Sequence, residues 1–244
     1  MNGTLIRLTA RQLLGQKRTV LLLLFALVPV LIAVLYRVAG NDEPQQWAAS
    51  ALNARLIIGT FLPLAALVFG TAALGSEFED GTAVYILSKP IPRRVIVFSK
   101  LLVSWLATAG VVLAATVTAT VIALWGEAPD GILAGFALAV VVGALVYCAL
   151  FTWLSVLTSR ALIVGLLYVF IWEGVITRLF AGVRFLSVRQ YTLGIADTVV
   201  DVPARVFNPR LGEMEAIVLA AVATAVTVYL AVRRLRRWEI GEAS

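Results

Sequence analysis

The residues most able to make specific contacts lie in one polar stretch, 77–94, between two long apolar runs. It opens with three acids, turns at a glycine, offers five consecutive apolar residues and closes on two prolines and two arginines. A simple polar loop does not need such an apolar ridge. We therefore predict a short helix that binds a partner protein, with these contact residues: Glu77, Glu79, Asp80, Gly81, Thr82, Val84, Tyr85, Leu87, Lys89 and Pro90.

This short helix has two candidate starts. Thr82 can act as an N-cap, with its hydroxyl accepting a hydrogen bond from a free backbone N–H. Ser76 with Glu79 also fits a capping box, which would start the helix earlier. Pro90 disfavours helical backbone in the residue before it, so the helix should end by about Ser88. The alternative is a membrane-surface loop whose apolar residues dip into lipid.

Residue types needed for common enzyme sites are missing from the sequence. It has no histidine, which excludes Ser-His and Cys-His nucleophile pairs and His-ligated zinc in this chain. The one cysteine, Cys148, lies in an apolar run, so there is no disulfide framework. No Gly-x-x-x-x-Gly-Lys-Ser/Thr segment occurs, so we expect no ATP hydrolysis by that route. We predict no metal site, because four acids outside the apolar runs lack ligand-like spacing: Glu127, Asp130, Asp197 and Asp201.

Composition indicates a membrane protein. Hydrophobic residues make up 61% of the 244 residues, charged residues make up 14%, and the mean hydropathy is +0.96. A soluble domain is nearer to about 45–50% apolar. We therefore predict an all-α polytopic membrane protein in which residues 1–244 form a single transmembrane domain.

Six apolar runs are long enough to cross a hydrocarbon core, which takes about 20 helical residues. The predicted spans are 19–36, 56–75, 95–124, 132–157, 161–180 and 216–232, with 37–55 as a polar connection. Residues 1–18 place three arginines on one helical face. This pattern predicts an amphipathic helix on the cytoplasmic leaflet, with an ordinary basic tail as the alternative. Lys100, near the start of the third span, is expected to snorkel to the interface.

The orientation follows from the basic residues. With both termini inside, the inner segments hold 13 Lys and Arg residues and the outer segments hold seven. Cytoplasmic loops carry the excess of basic residues in membrane proteins. We therefore predict cytoplasmic termini, and the same orientation places residues 77–94 in the cytoplasm.

The stretch 75–102 resembles the coupling loop of ABC-2-type permeases, the membrane subunits of one class of ATP-binding-cassette transporter. The resemblance lies in Glu-x-x-x-Gly-Thr from Glu77, the apolar patch, Leu-Ser-Lys-Pro-Ile-x-Arg-Arg from Leu87, and Lys100 at the start of a helix. It implies that residues 76–94 form a coupling loop that contacts a separate ATPase subunit. It also implies that ATP and Mg²⁺ bind to that ATPase and that two permease copies or paralogues work together. No cofactor is expected in this chain.

The segment 181–215 is too polar to span a membrane and too apolar for a simple loop. Apolar residues alternate with Arg184, Arg189 and Asp197, and Pro203 and Pro209 interrupt it. We predict one or two short amphipathic helices at the outer surface. The resemblance adds that ABC-2-type permeases carry outer re-entrant helices between their last two spans. The alternative is a surface-lying loop without a part in transport.

Glu173 is the only acid inside a predicted span. A carboxylate there is costly and usually faces a cavity or a partner. Arg178, on the next helical turn, is the candidate partner. Two roles stay open for Glu173: an ion pair that locks the outer end of the bundle, and contact with substrate.

Small residues recur at four-residue spacing within the spans, which lets helix backbones approach closely. A dimer face is one use of such stripes and packing within the bundle is the other. They are Gly135, Ala139 and Gly143, then Gly110 and Ala114, then Ala221 and Ala225.

Our first hypothesis for function is the permease subunit of an exporter in the cell membrane. It would form the translocation pathway as a dimer and be driven by ATPase subunits that bind residues 77–94. The expected partners are the ATPase, the second permease and the lipid membrane, and we expect no nucleic acid. The alternatives are an integral-membrane enzyme that modifies lipids, and a sensory or immunity protein that does not transport.

Overall fold

The computed structural model describes residues 17–40, 43–79, 92–127 and 131–236. Throughout this part of the chain the regular structure is helical, with no strand. The predicted all-α class is therefore confirmed. The predicted amphipathic helix over 1–18 lies outside the described residues except for its last two.

The described residues form seven helices. Helix α1 is Lys17–Val38, and α2 joins three consecutive stretches, Pro44–Gln46, Trp47–Phe61 and Leu62–Glu79. Helix α3 is Arg93–Ala123 and α4 is Ile132–Leu157. Helix α5 joins Ala161–Leu167, Tyr168–Ile176 and Thr177–Leu179, and a 3₁₀ turn, Ala181–Leu186, follows it. The last two are α6, Val188–Asp197, and α7, Glu213–Arg236.

Within the described ranges, four helical segments are long and apolar enough to cross a membrane: Pro44–Gly75, Arg93–Ala123, Ile132–Leu157 and Glu213–Arg236. Two shorter apolar helices, Leu22–Val38 and Ala161–Ile176, lie where the first and fifth spans are predicted. The apolar helices therefore fall at all six predicted positions, and four of them meet the length of a full span.

Helix α2 begins at Pro44, so the predicted polar connection over 37–55 is wrong for its second half. Proline suits the first helical turn because its missing N–H would be unpaired there in any case. The turns that follow bury Ala48, Ala49 and Leu52. The ring of Trp47 also stacks on Tyr36 of α1, with centroids 3.8 Å apart. Packing against the neighbouring helices therefore outweighs the polarity of this segment.

Two stretches of the bundle are π-helical, Trp47–Phe61 in α2 and Tyr168–Ile176 in α5. In α2 the π-helix ends just before Pro63, which has no N–H to donate to the preceding turn. The wider π-helical turn changes which backbone carbonyls are free to accept other donors. Both stretches contact the start of α6, through Glu173 and through the Ala54 carbonyl.

Helix α4 is the centre of the fold. It packs against α2, α3, α6 and α7, while α1 packs mainly on α3. Large side chains on α4 are fully buried, among them Phe136, Tyr147 and Phe151. Because α4 touches most other helices, it sets the position of α6.

Helix α6 lies along α4 rather than across its end. The side chain of Ser187 caps α6 by accepting a hydrogen bond from the Gln190 N–H. The helix buries seven of its ten residues: Val188, Tyr191, Thr192, Leu193, Gly194, Ile195 and Ala196. A helix at the surface would bury one face only. The alternative of a surface-lying loop is therefore wrong for this part of 181–215.

The small-residue stripe on α4 is what admits α6. A Cβ atom on Gly135 would lie 2.6 Å from the carbonyl oxygen of Ala196, and one on Gly143 would lie 2.7 Å from Oγ1 of Thr192. Ala139, between the two glycines, is fully buried. This stripe therefore serves packing within the chain and is not available as a dimer face.

Candidate functional site

The helices that flank the predicted coupling stretch set its position. Helix α2 continues to Glu79 and α3 begins at Arg93, so Glu77 and Glu79 belong to the last turn of α2. The backbone of α2 is continuous through Ser76, so no new helix starts there and the capping-box start is wrong. The remaining predicted contact residues lie outside the described part of the chain: Asp80, Gly81, Thr82, Val84, Tyr85, Leu87, Lys89 and Pro90.

Four helix ends meet where this stretch is attached. A set of buried apolar side chains, separate from the main core and here called the base cluster, joins α2, α3, α4 and α7. Its members are Leu74, Ile96, Val97, Val156, Ala231 and Leu235. The two helices that flank residues 80–91 in the sequence therefore pack together where four helices converge.

Lys100 does not reach the interface as predicted. Its side chain is 3% exposed, and the same helix buries Ser99, Ser104 and Thr108. Helix α3 therefore carries a partly polar face into the bundle. The expectation that Lys100 snorkels is wrong, because Lys100 lies on the face of α3 that packs against neighbouring helices.

Glu173 lies in the π-helical stretch of α5 and is 4% exposed. The Tyr147 hydroxyl donates to Oε2 at 2.7 Å, and the Tyr168 hydroxyl donates to Oε1 at 3.0 Å. The backbone N–H of Val188 donates to Oε1 at 2.9 Å. That of Arg189 lies 3.3 Å from Oε2 and 3.4 Å from Oε1. We call this set of groups the Glu173 cluster.

The donors explain how a carboxylate can be buried here. The first N–H groups of a helix have no partner within that helix, and the N-terminus carries a partial positive charge. Glu173 accepts from two of these groups at the start of α6, and the tyrosine hydroxyls complete its hydrogen bonding. The cluster therefore joins α4, α5 and α6 through directional bonds.

Arg178 was the predicted partner of Glu173, and its side chain lies outside the described residues. Sequence reasoning missed Tyr147, Tyr168 and the start of α6. The available signal was a pair of tyrosines within apolar runs, since a buried Tyr hydroxyl usually needs a hydrogen-bond partner.

Arg189 ties α6 to α2. Its Nη2 donates to the carbonyl oxygen of Ala54 at 3.3 Å, within the first π-helical stretch. A Cβ atom on Gly59 would lie 3.2 Å from the Arg189 Cζ atom, so the guanidinium rests directly on the α2 backbone. The start of α6 is therefore held between the two π-helical stretches, by Glu173 on one side and by Ala54 on the other.

A second buried polar pair links α2 to α3. The side-chain amide of Asn53 donates to Oγ1 of Thr120 at 3.0 Å and to the Ala48 carbonyl at 2.9 Å. Asn53 and Thr120 are both fully buried. Sequence reasoning missed this pair because Asn53 was assigned to a polar connection.

In the described ranges, no group of three His, Cys, Asp or Glu side chains could hold a metal ion. Partial burial, with a smaller contribution from the nearby Glu213, raises the pKa of Asp197 above its ordinary value. Glu127 and Asp201 are exposed, and Asp130 lies outside the described residues.

Comparison with known families identifies the chain. The sequence model of a family described as ABC-2 family transporter protein matches residues 6–190, which is 185 of the 244 residues. No curated protein matches the chain. The matched range contains the coupling stretch and the Glu173 cluster, and it confirms the resemblance to ABC-2-type permeases. This membrane-embedded chain therefore belongs to the ABC-2 family of transporter proteins.

Proposed function

We propose that this chain is the permease subunit of an exporter, with six spans, both termini in the cytoplasm, and a location in the cell membrane. A separate ATPase would bind residues 77–94, and two permeases with two ATPases would form the working unit. One observation carries this proposal: the stretch that resembles a coupling loop leaves α2 and enters α3 at the base cluster. A force applied there would act on four helices at once.

The proposed mechanism is mechanical. Closure of the ATPase subunits on ATP would displace residues 77–94 and, with them, the ends of α2 and α3. The base cluster consists of apolar side chains, whose contacts have no preferred direction, so these helix ends can shift against one another. The Glu173 cluster holds α4, α5 and α6 by directional bonds. The bundle would tilt about this cluster and open a path for its substrate.

ATP and Mg²⁺ would be bound by the partner ATPase. This chain would supply no catalytic residue, and its part is to bind the ATPase and to move. We further propose that α6 is a re-entrant helix of the outer half of the bundle, since it lies along α4 and starts beside Glu173.

The coupling role is tested by Tyr85→Ala combined with Leu87→Ala. A short docked helix has little contact area, so a few side chains should dominate its affinity. We expect the double variant to insert and fold, but to bind the ATPase at least about tenfold more weakly or to lose substrate-stimulated ATP hydrolysis. Both are measured on one preparation, by pull-down of the ATPase and by phosphate release.

The matched control is Trp125→Ala combined with Leu179→Ala. These side chains are 69% and 71% exposed and lie at the ends of α3 and α5 away from the base cluster. The control should leave both readouts unchanged. Wild-type binding and hydrolysis in the Tyr85 and Leu87 variant would remove the coupling role.

The orientation is tested with single cysteines in a Cys148→Ala background. Cys148 is fully buried, so replacing it removes a second thiol without changing the exposed surface. A cysteine at the exposed Glu127 should react with an impermeant thiol reagent from outside, and one at the exposed Ser159 should not. Gly131 is unsuitable because its φ is +74° and a Cβ atom there would collide with the Val199 carbonyl. The reverse labelling pattern would overturn both the orientation and the coupling role.

A further inference from the structure

Helix α7 is the least buried of the four long apolar helices. Only 17% of its apolar window is buried, compared with 72% for α2. Beside it runs an open groove of about 840 Å³, between α7 and α4. Its floor contains small residues of α7, Ala221, Thr224 and Ala225, and its far wall contains Val142 and Leu145 of α4.

One end of the groove is cationic. Arg94, in the first turn of α3, and Arg236, the last residue of α7, both line it and are both exposed. They are the only charged residues among its described lining. Neither makes a hydrogen bond or an ion pair with another described residue. The groove therefore joins a long apolar channel to two guanidinium groups whose hydrogen-bonding capacity is unused in the described chain.

The groove is long enough for a lipid chain. Its lining on α7 runs from Ile217 to Arg236, and the 19 steps between these residues span about 28 Å at about 1.5 Å per residue. The hydrocarbon core of a bilayer is about 30 Å thick. An acyl chain of one leaflet, which covers about half of that thickness, fits beside α7 with its headgroup at the arginines.

The chemistry at the cationic end selects the headgroup. Guanidinium groups bind phosphate through paired, charge-assisted hydrogen bonds. Basic pockets between transmembrane helices on the cytoplasmic side bind anionic lipid headgroups. We propose that this groove binds an anionic phospholipid of the cytoplasmic leaflet, with its phosphate between Arg94 and Arg236 and one acyl chain along α7.

A second copy of the chain is a poorer occupant of this face. Two parallel copies related by a two-fold axis along the membrane normal would bring the same ends together. Arg94 and Arg236 of one copy would then face the same arginines of the other, and like charges in a low-dielectric setting repel. An anionic headgroup would neutralise the positive charge of the two arginines, whereas a second copy would double it.

The test uses the full chain reconstituted in vesicles with equal amounts of phosphatidylglycerol and phosphatidylcholine of the same acyl chains. After extraction and purification in detergent, native mass spectrometry measures which lipid is retained. The wild-type protein should retain phosphatidylglycerol preferentially. Arg94→Gln with Arg236→Gln should weaken this retention about tenfold, the scale of a lost hydrogen bond between charged groups.

The matched control is Arg233→Gln with Arg234→Gln, which removes the same charge from the same end of α7 without touching the groove lining. Its retention of phosphatidylglycerol should stay within about twofold of wild type, a change of about 0.4 kcal/mol. Equal retention of the two lipids by the wild type, or an equal loss in this control, would overturn the proposal.

A second variant keeps the test decisive if the arginine variant folds poorly. Ala221→Phe retains both arginines and fills the apolar channel, so it should also lower phosphatidylglycerol retention. Unchanged retention would overturn the groove as the site. A changed oligomeric mass with unchanged lipid retention would instead assign this face to a second copy. None of these readouts involves the ATPase, so their failure is distinct from failure of the proposed transport function.

Discussion

The Glu173 cluster and the base cluster hold helices together in different ways. At the Glu173 cluster one buried carboxylate accepts hydrogen bonds from two tyrosine hydroxyls and two backbone N–H groups. At the base cluster, the ends of four helices meet through apolar side chains, such as Leu74, Ile96 and Leu235. The first depends on direction and register, and the second depends on contact alone.

This difference matters more in a membrane than in water. Lipid tails are as apolar as a leucine side chain, so apolar contacts between spans gain little over contacts with lipid. A buried N–H that loses its acceptor finds no water to replace it. We infer that the Glu173 cluster fixes the relative positions of α4, α5 and α6, while the helix ends at the base cluster can shift at low cost.

The largest expected effect is that of Glu173→Leu. It leaves four donors without their acceptor, the N–H groups of Val188 and Arg189 and the hydroxyls of Tyr147 and Tyr168. Each unsatisfied buried donor costs about 1–3 kcal/mol, so the two N–H groups alone give about 2–6 kcal/mol, and we expect at least this destabilisation. The measurement is the free energy of unfolding by sodium dodecyl sulfate in mixed micelles. Wild-type stability would mean that the carboxylate does not fix α6.

Two variants separate the contributions within this cluster. Tyr168→Phe removes one donor and leaves the carboxylate with its other partners. It should therefore cost about 0.5–1.5 kcal/mol, or up to about 3 kcal/mol if the lost hydrogen bond is to an ionised carboxylate. Glu173→Gln keeps one acceptor oxygen for the start of α6 and should fall between Tyr168→Phe and Glu173→Leu. A Gln variant as damaging as Leu would assign the effect to charge rather than to hydrogen bonding.

A medium effect is expected where α6 packs on α4. Gly135→Ala places a methyl group 2.6 Å from the Ala196 carbonyl. Overpacking of this kind costs about 1–3 kcal/mol, measured by the same unfolding assay. The control is Gly110→Ala, which meets nothing within 4 Å and should be neutral or gain up to about 1 kcal/mol in helix propensity. Equal effects at the two glycines would contradict the close approach of α6.

The smallest effects come from deleting one methyl group, either in the core of α2 next to the glycine that Arg189 contacts or in the base cluster. Ile58 lies beside Gly59, on which Arg189 rests, and Ile96 belongs to the base cluster, and both are at most 1% exposed. Ile→Val changes cost about 0.5–1.5 kcal/mol in packed cores. We expect Ile58→Val near the upper end and Ile96→Val near the lower end, because the helix ends at the base cluster can close the gap. A larger loss for Ile96→Val than for Ile58→Val would show that the base cluster is the more tightly packed of the two regions.

Helix positions were largely predictable. The fourth predicted span and α4 have the same first and last residues, and α3 differs from the predicted third span by at most two residues at each end. These boundaries follow from local sequence, because prolines, glycines and charges interrupt the apolar runs at both ends. The coupling stretch was predicted in the same way, from its composition and spacing, and its role stays a prediction.

The contacts of Glu173 were not predictable in this way. The sequence marked it as a buried acid in need of a partner, and the nearest cation along the chain, Arg178, was chosen. One described donor, Tyr168, is five residues away, but Tyr147 is 26 residues away and Val188 is 15 residues away. The π-helical stretch that presents Glu173, and the start of α2 at Pro44, likewise depend on neighbours that are distant in sequence.

The sequence by itself determined the membrane class, the all-helical architecture and the family, because these depend on hydropathy and on short motifs that each segment carries alone. Only the tertiary structure decided that the small residues of α4 admit α6, that Glu173 holds the start of α6, and that a groove with two arginines lies beside α7. Each of these requires knowing which helix faces meet. Apolar patterns in lipid specify that a helix forms, whereas close packing and paired polar groups specify its neighbours.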